Sequence, residues 1–151
     1  MRLSAKADYA LRASLELASG GEGHVKAEAI ARAQGIPLRF LEQILLDLKH
    51  AGLVASQRGA EGGYWLAQPA EEIAVADVIR AVEGPIANVR GMRPEQVEYP
   101  GPASALREVW IAMRANLRSV LEGTTLADLA SGQLPDDVTR IAADPAAWES
   151  H

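Results

Sequence analysis

A mainly α-helical chain carrying one small β-hairpin is what this sequence predicts, and three observations lead there. Leu38, Leu41, Ile44, Leu45 and Leu48 recur at helical spacing between Pro37 and Gly52, which suit the start and the end of a helix. The short runs 53–57 and 64–67 flank Arg58-Gly59-Ala60-Glu61-Gly62-Gly63, a tip whose glycines supply turn angles at no steric cost. Leu106, Trp110, Met113, Leu117 and Val120 step by 4, 3, 4 and 3, a heptad seam. A polar-faced helix followed by a glycine-tipped hairpin spells a winged helix-turn-helix, and the seam adds a long dimerisation helix.

Taken in order, residues 4–19 predict a first helix with Ser4 as its N-cap, buried through Ala7, Leu11, Leu15 and Ala18. Gly20, Gly21 and Gly23 end it, and Val25 begins a short extended entry. Residues 26–34 form a short helix buried through Ala27, Ile30 and Ala31, closed by Gly35 before the chain restarts at Pro37. Helix, glycine turn, helix is helix-turn-helix spacing, which structural helical hairpins share. Behind the hairpin, where Trp65 is expected to plug the wing against the helices, Pro69 stops the strand. Residues 73–83 read as another amphipathic helix halted at Gly84-Pro85.

Residues 85–102 hold Pro85, Gly91, Pro94, Pro100, Gly101 and Pro102, so they form a long loop. Two readings stand for it: an effector pocket built from Asn88, Arg90, Arg93, Glu95 and Tyr99, or a linker. The long helix follows, from about 102 to 121. Thr125 and Asp128 then cap one more short helix ending at Gly132, and the tail beyond Pro135 reads as loosely ordered. The expected division is therefore 1–84 for the reading head, 85–102 for the loop, 103–132 for dimerisation helices and 133–151 for the tail.

Composition narrows the function classes. With 48% hydrophobic and 23% charged residues the chain can pack a core. No apolar run reaches the roughly 20 residues of a membrane span, and the amphipathic start is no signal peptide, so the cytoplasm is the expected location. The absence of cysteine excludes disulfides, thiolate catalysis and cysteine-ligated metals. Net charge is −5, yet residues 1–67 carry 8 Lys+Arg against 7 Asp+Glu, while 68–151 carry 7 against 13. The acidic excess thus lies outside the proposed reading head, which leaves a local basic face compatible with DNA.

On the outer face of the second helix of the motif stand Arg39, Phe40, Glu42, Gln43 and Lys49. Glu42 and Gln43 can accept from cytosine or pair with adenine in the major groove. Phe40 has two readings: packing against the first helix, or touching thymine methyls and sugars. Arg58, at the base of a tight tip, suits a narrow minor groove, and Gly59, Gly62 and Gly63 let backbone approach phosphate. A nucleotide-binding loop is the weaker reading of those glycines, since no Lys-Ser/Thr or helix follows them. Arg2, Lys6 and Arg12 are either a solvated face or phosphate contacts.

The segments RLSAKADYALRASLELA, IPLRFLEQIL, AGLVASQRGAEGGYWLA, DVIRAVEG, the helix containing EVW, and TLADLA together resemble the Rrf2 family of bacterial transcription regulators. The resemblance covers about residues 1–132. It implies a homodimer of winged helix-turn-helix heads on a long crossed helix, binding a pseudo-palindromic duplex operator as a regulator, most readily a repressor. It also implies DNA contacts from Pro37, Arg39, Phe40, Glu42 and Gln43, from Ser56, Arg58 and the wing glycines, and from Arg2 and Lys6. Sensor members of the family place three cysteines in the loop matching 85–105. This chain has none, so the resemblance implies a member without an iron–sulfur cluster, answering to a partner protein, to a small-molecule effector or to nothing.

A second reading from another class is a protein-interaction module that uses the winged helix to bind a partner protein. An enzyme is the poorest reading: no nucleophile–base pair, cofactor fingerprint or carboxylate pair stands at a working spacing, no metal site is expected, and no cofactor is called for.

Overall fold

A computed structural model describes all 151 residues. It contains α1 (Ala5–Ser19), α2 (Ala27–Gln34), α3 (Leu38–His50), β1 (Val54–Gln57), β2 (Gly63–Leu66), α4 (Val75–Glu83), α5 (Leu106–Gly123), α6 (Leu126–Ser131) and α7 (Asp136–Ala142), with short 3-10 turns between. The strands form one antiparallel hairpin in which Val54 pairs Leu66 and Gln57 pairs Gly63. The mainly helical fold with a single wing is as expected.

Helix α1 is the central post, touching α2, α3, α4, α6 and β2. Ser4 caps it, its hydroxyl accepting from the Ala7 amide at 3.0 Å. Its buried face is Ala7, Ala10, Ala13, Ser14 and Leu17, rotated from the expected one. Leu11, Leu15 and Ala18 sit instead at the rim of the core. The physical reason is crowding: with neighbours on several sides, only small side chains let the backbones approach, and the leucines fill the flanks. Ser14 stays satisfied there by donating to the Ala10 carbonyl at 2.8 Å.

Helix α3 buries Leu41, Ile44, Leu45 and Leu48 completely, as its spacing demands. Gly35, at φ 63°, closes α2 so that α3 can set off in a new direction. Val25 does start an extended entry: it pairs with Tyr64 through hydrogen bonds of 2.9 and 2.8 Å, which makes it a one-residue third strand beside the wing. Trp65 departs from expectation. Strand alternation sends Tyr64 and Leu66 to the core, while Trp65, half-buried, stacks flat on the His24 ring at 4.2 Å.

Beyond α4 the loop is built rather than slack. Val89 and Met92 bridge across a tight turn, Pro94 and Val97 are buried, and the Trp110 indole donates to the Tyr99 hydroxyl at 3.0 Å. Helix α5 has no buried residue. After it the chain returns to the head: the Leu126 amide donates to the Ile73 carbonyl at 2.9 Å, and Leu126 is fully enclosed in the core. Thr125 and Asp128 cap α6 reciprocally at 2.9 and 3.1 Å. Helix α6, expected to group with α5, thus packs with the reading head. The tail, expected to be loosely ordered, carries one short helix that buries none of its residues. Pro135 starts α7, Asp136 and Asp137 face its positive end, and Arg140 lies in its last turn, so its ends are complemented electrostatically.

Candidate nucleic-acid interface

Helix α3 and the wing are joined by the shortest route the chain allows, two residues past Ala51 and into β1, so their outer faces share one side of the head. Between them lies a groove of about 520 Å³ lined by Lys26, Glu28, Glu42, Lys49, Ser56 and Arg58 among others. Arg39, Phe40, Glu42 and Gln43 are all exposed along α3, and Pro37 stands exposed at its start. Arg58 is exposed at the foot of the wing and Arg2 at the chain start. Of the residues expected on the reading surface, Arg2, Pro37, Arg39, Phe40, Glu42, Gln43, Arg58 and Gly59 lie open, and Lys6 and Ser56 are half-buried. Gly62 and Gly63 are buried because the chain's own backbone closes over them. Helix α3 and the wing frame a groove that a strand of backbone could follow.

The wing tip depends on its glycines for different reasons. A Cβ on Gly62 would stand 2.1 Å from the Gln57 carbonyl oxygen, so the turn admits no side chain there. On Gly63 it would meet the Val25 carbonyl oxygen at 2.9 Å, where the strands come closest. Gly59, at φ 100°, turns the chain out of β1. The tip is also pinned from below. Lys26 Nζ donates to the Gly59 carbonyl at 2.7 Å, and His24 Nδ1 lies 3.1 Å from the Glu61 carbonyl. These two anchors were not legible in the sequence. Their signal is only a basic residue and a histidine before a short helix, and the hairpin they hold lies more than thirty residues away.

Several expected contacts are already engaged within the chain. Lys6 pairs with Asp47 Oδ2 at 2.7 Å, tying α1 to α3, and Gln43 donates to the other Asp47 oxygen at 3.2 Å. The Lys6 hydrogen bond, with Gln43 adding to it, holds the Asp47 carboxyl below its ordinary range against the opposing effect of partial burial. Lys49 Nζ donates to the Ser56 hydroxyl at 2.8 Å, bridging α3 to the wing. Arg12 donates to the Gln34 carbonyl at 2.7 Å, pairs with Asp8 at 3.0 Å and covers the Tyr9 ring, so it braces α1 against α2. Phe40 packs against the first helix, its ring meeting Tyr9 edge-on at 5.6 Å, and 41% of the residue stays exposed. Arg39 and Arg58 are in none of these pairs, which leaves their guanidiniums free to probe a groove.

On α5 the seam is unevenly covered. Leu106 is exposed, while Trp110, Met113, Leu117 and Val120 are half-buried, and Val109 beside them is 54% exposed. The loop residues expected to form a pocket divide. Glu95 binds Arg114 at 2.6 Å, Asn88 accepts from the Gly91 amide at 3.2 Å, Tyr99 holds Trp110, and Arg90 and Arg93 are exposed.

Comparison with known proteins agrees with this geometry. Residues 3–132 match the family described as Rrf2, iron-dependent transcriptional regulator. Rv1287 of Mycobacterium tuberculosis, whose name places it among HTH-type transcriptional regulators, is 52% identical over 151 residues, spanning 99% of this chain and 94% of its own. The HTH-type transcriptional regulator CymR of Bacillus subtilis is 41% identical over 132 residues, or 87% of this chain and 91% of that protein. The solved structure of CymR, described as the global cysteine regulator of B. subtilis, superposes with a TM-score of 0.75 over 87% of this chain and 98% of that one. Iron in the family description does not carry over easily. The chain has no cysteine, and nowhere do three His, Asp or Glu side chains stand close enough to hold a metal ion, so the donor set does not fit a thiolate-ligated cluster.

Proposed function

The chain belongs to the Rrf2 family of winged-helix transcriptional regulators, and from that premise we propose that it works as a homodimer that represses transcription by occupying a pseudo-palindromic operator, without an iron–sulfur cluster and without enzymatic activity. In this reading α3 enters the major groove, where Arg39, Glu42 and Gln43 meet base edges and Phe40 meets sugars or thymine methyls. Arg58 enters the adjoining minor groove, and the exposed end of the tip, residues 59–61, lies against phosphate, with Arg2, Pro37 and Ser56 at the margins. Lys6 contributes to the local positive field while it holds Asp47. Two such heads, set by α5 pairing through Leu106, Trp110, Met113, Leu117 and Val120, read two half-sites.

The observation that carries the proposal is the shared groove: Glu42 and Lys49 of α3 and Ser56 and Arg58 of the wing line one channel on one side of the head, and Arg39 stands exposed three residues before Glu42 on α3. The open side of α5 supports the dimer, since an 18-residue amphipathic helix with no buried residue has an apolar face only partly covered by its own chain. No helix is long and apolar enough to cross a membrane, and the proposed location is the cytoplasm, where the operator is. Selection of bound duplexes from random DNA, followed by gel-shift titration over a salt series, tests the reading. A regulator loses affinity steeply with salt because phosphate contacts release counterions. A winged helix used for a protein partner alone, the second reading, gives no duplex selection at any salt.

A further inference from the structure

The cleft where the 85–102 loop folds over α4 and α5 has a character the rest of the chain lacks. It measures about 450 Å³, within the range of small-molecule sites, and Arg80, Arg93, Arg114 and Arg118 all line it. This is a concentration of positive charge in the acidic half of a chain whose net charge is −5. Against these guanidiniums stand Glu95 on Arg114 at 2.6 Å, Glu122 on both Arg118 and Arg80, and Asp77 at 3.8 Å from Arg80. Asp77 is partly committed elsewhere, since it accepts from the Ala74 amide at 2.9 Å at the start of α4. Both glutamates are held ionised below their usual range, Glu95 by its own backbone amide and Arg114, and Glu122 by Arg118 and Arg80.

Those pairs fix the arginines without exhausting them. Arg114 uses one nitrogen on Glu95 and Arg118 uses Nε on Glu122, so most of their donors remain unclaimed. Arg93 makes no ion pair through its guanidinium; only its backbone is engaged, its amide donating to Gln96 Oε1 at 3.3 Å and its carbonyl accepting from the Gln96 amide at 2.9 Å. The loop wall is held in an unusual shape, with Ala87 lining the cleft at φ 55° and Arg90 nearby at φ 52°. Non-glycine residues adopt that region at a cost, and such positions gather where a ligand is clamped. Only two of the eleven lining residues are hydrophobic, so the cleft suits a charged guest, not an apolar one.

We propose that this cleft is an effector site for a small polyanion, a metabolite carrying two or more carboxylate or phosphate groups, gripped by Arg93, Arg114 and Arg118. Guanidinium forks match such oxyanions in shape as well as charge. The site also lies where regulation has leverage. Glu122 links Arg80 of α4 to Arg118 of α5, and α4 packs directly on α1 and α3. An anion that takes these guanidiniums competes with Glu122 and resets the joint between reading head and dimer arm, hence the spacing of two heads on DNA. The regulatory consequence rests on the DNA-binding reading above; the binding itself does not.

Calorimetry on the full chain, without DNA, separates the two. Citrate and inorganic pyrophosphate are titrated near neutral pH, with sodium chloride at matched ionic strength as control. One saturable site per chain is expected for one of them, the better binder assigning carboxylate or phosphate chemistry. Arg93→Ala and Arg118→Ala should each weaken it about tenfold or more, the loss expected for a charge-assisted contact. Arg140→Ala on α7 and Arg58→Ala on the wing should leave it unchanged. Arg93 is exposed and unpaired, so its variant keeps the parent melting profile and its loss of binding is not a folding defect. No saturable binding of either anion at about 10 mM, a level that would fill even a millimolar site, overturns the proposal. Equal weakening by Arg58→Ala overturns it too, by placing the anion on the DNA face. Saturable binding that leaves duplex affinity unchanged refutes the regulatory consequence, whereas absent duplex binding beside an intact anion site strikes the DNA reading alone.

Discussion

Helices α3 and α5 are both amphipathic, and they end in opposite states. In α3 the apolar stripe is sealed: Leu41, Ile44, Leu45 and Leu48 have no measurable exposure. In α5, longer at 18 residues, nothing is buried, and its best-covered residues are only half out of water. The difference lies in what surrounds them. Helix α3 is boxed by α1, α2, α4 and β1, whereas α5 packs chiefly on α4 and the short turn at Pro94–Gln96. Periodicity announces that a face will be covered. It does not say whether the cover comes from the same chain.

That contrast can be broken from either side. The largest effect is expected in the sealed helix: Leu45→Ala should cost about 2–5 kcal/mol of stability, through lost burial and a cavity its neighbours cannot close. Urea unfolding followed by circular dichroism measures it, and a loss under 1 kcal/mol, the order of a surface change, would mean the core is looser than described. On the open helix, Leu117→Asp should leave the head folded and weaken self-association about a hundredfold, since pairing would bury a charge. Sedimentation that still shows a dimer at the parent's concentration range would remove Leu117 from the interface.

Within the head the comparison sharpens between free and engaged cations. Arg58, unpaired and exposed, should cost about 1–3 kcal/mol of operator affinity when changed to Ala, read by gel shift at fixed salt. An unchanged titration would take the wing out of the groove. Asp47→Asn, which releases Lys6, should cost only about 1 kcal/mol of stability near neutral pH, as expected of a surface-level pair. The sign follows from the lowered Asp47 pKa. The pair's contribution is present above the unfolded carboxylate value and disappears as pH falls through the lower folded one. Parent and variant should therefore converge in denaturant titrations at acid pH, and a gap that persists there would show that the loss is not electrostatic.

Much of the reading head was legible because local rules and packing agree there. Ser4, Gly35, Gly52 and the Thr125–Asp128 pair mark helix ends by hydrogen-bonding chemistry that needs no knowledge of the rest of the chain. The buried side of α1 was misread because the rule favours leucine, and crowding by five neighbours favoured alanine. The short helix in the tail was missed because prolines and acids look like breakers until they fall at the start of a helix, where Pro135, Asp136 and Asp137 belong.

The sequence alone determined where helices begin and end, that one hairpin must have a bare tip, and that no thiolate could ever hold a metal here. Those follow from covalent geometry and residue chemistry, which travel with each residue. Tertiary structure decided which cations are free: Lys6 and Lys26 are bound to groups tens of positions away, while Arg39, Arg58 and Arg93 are not. It also decided that four arginines spread from Arg80 to Arg118 share one cleft. A charge has no fixed meaning until folding chooses its neighbours, because electrostatic energy depends on distance in space and not along the chain.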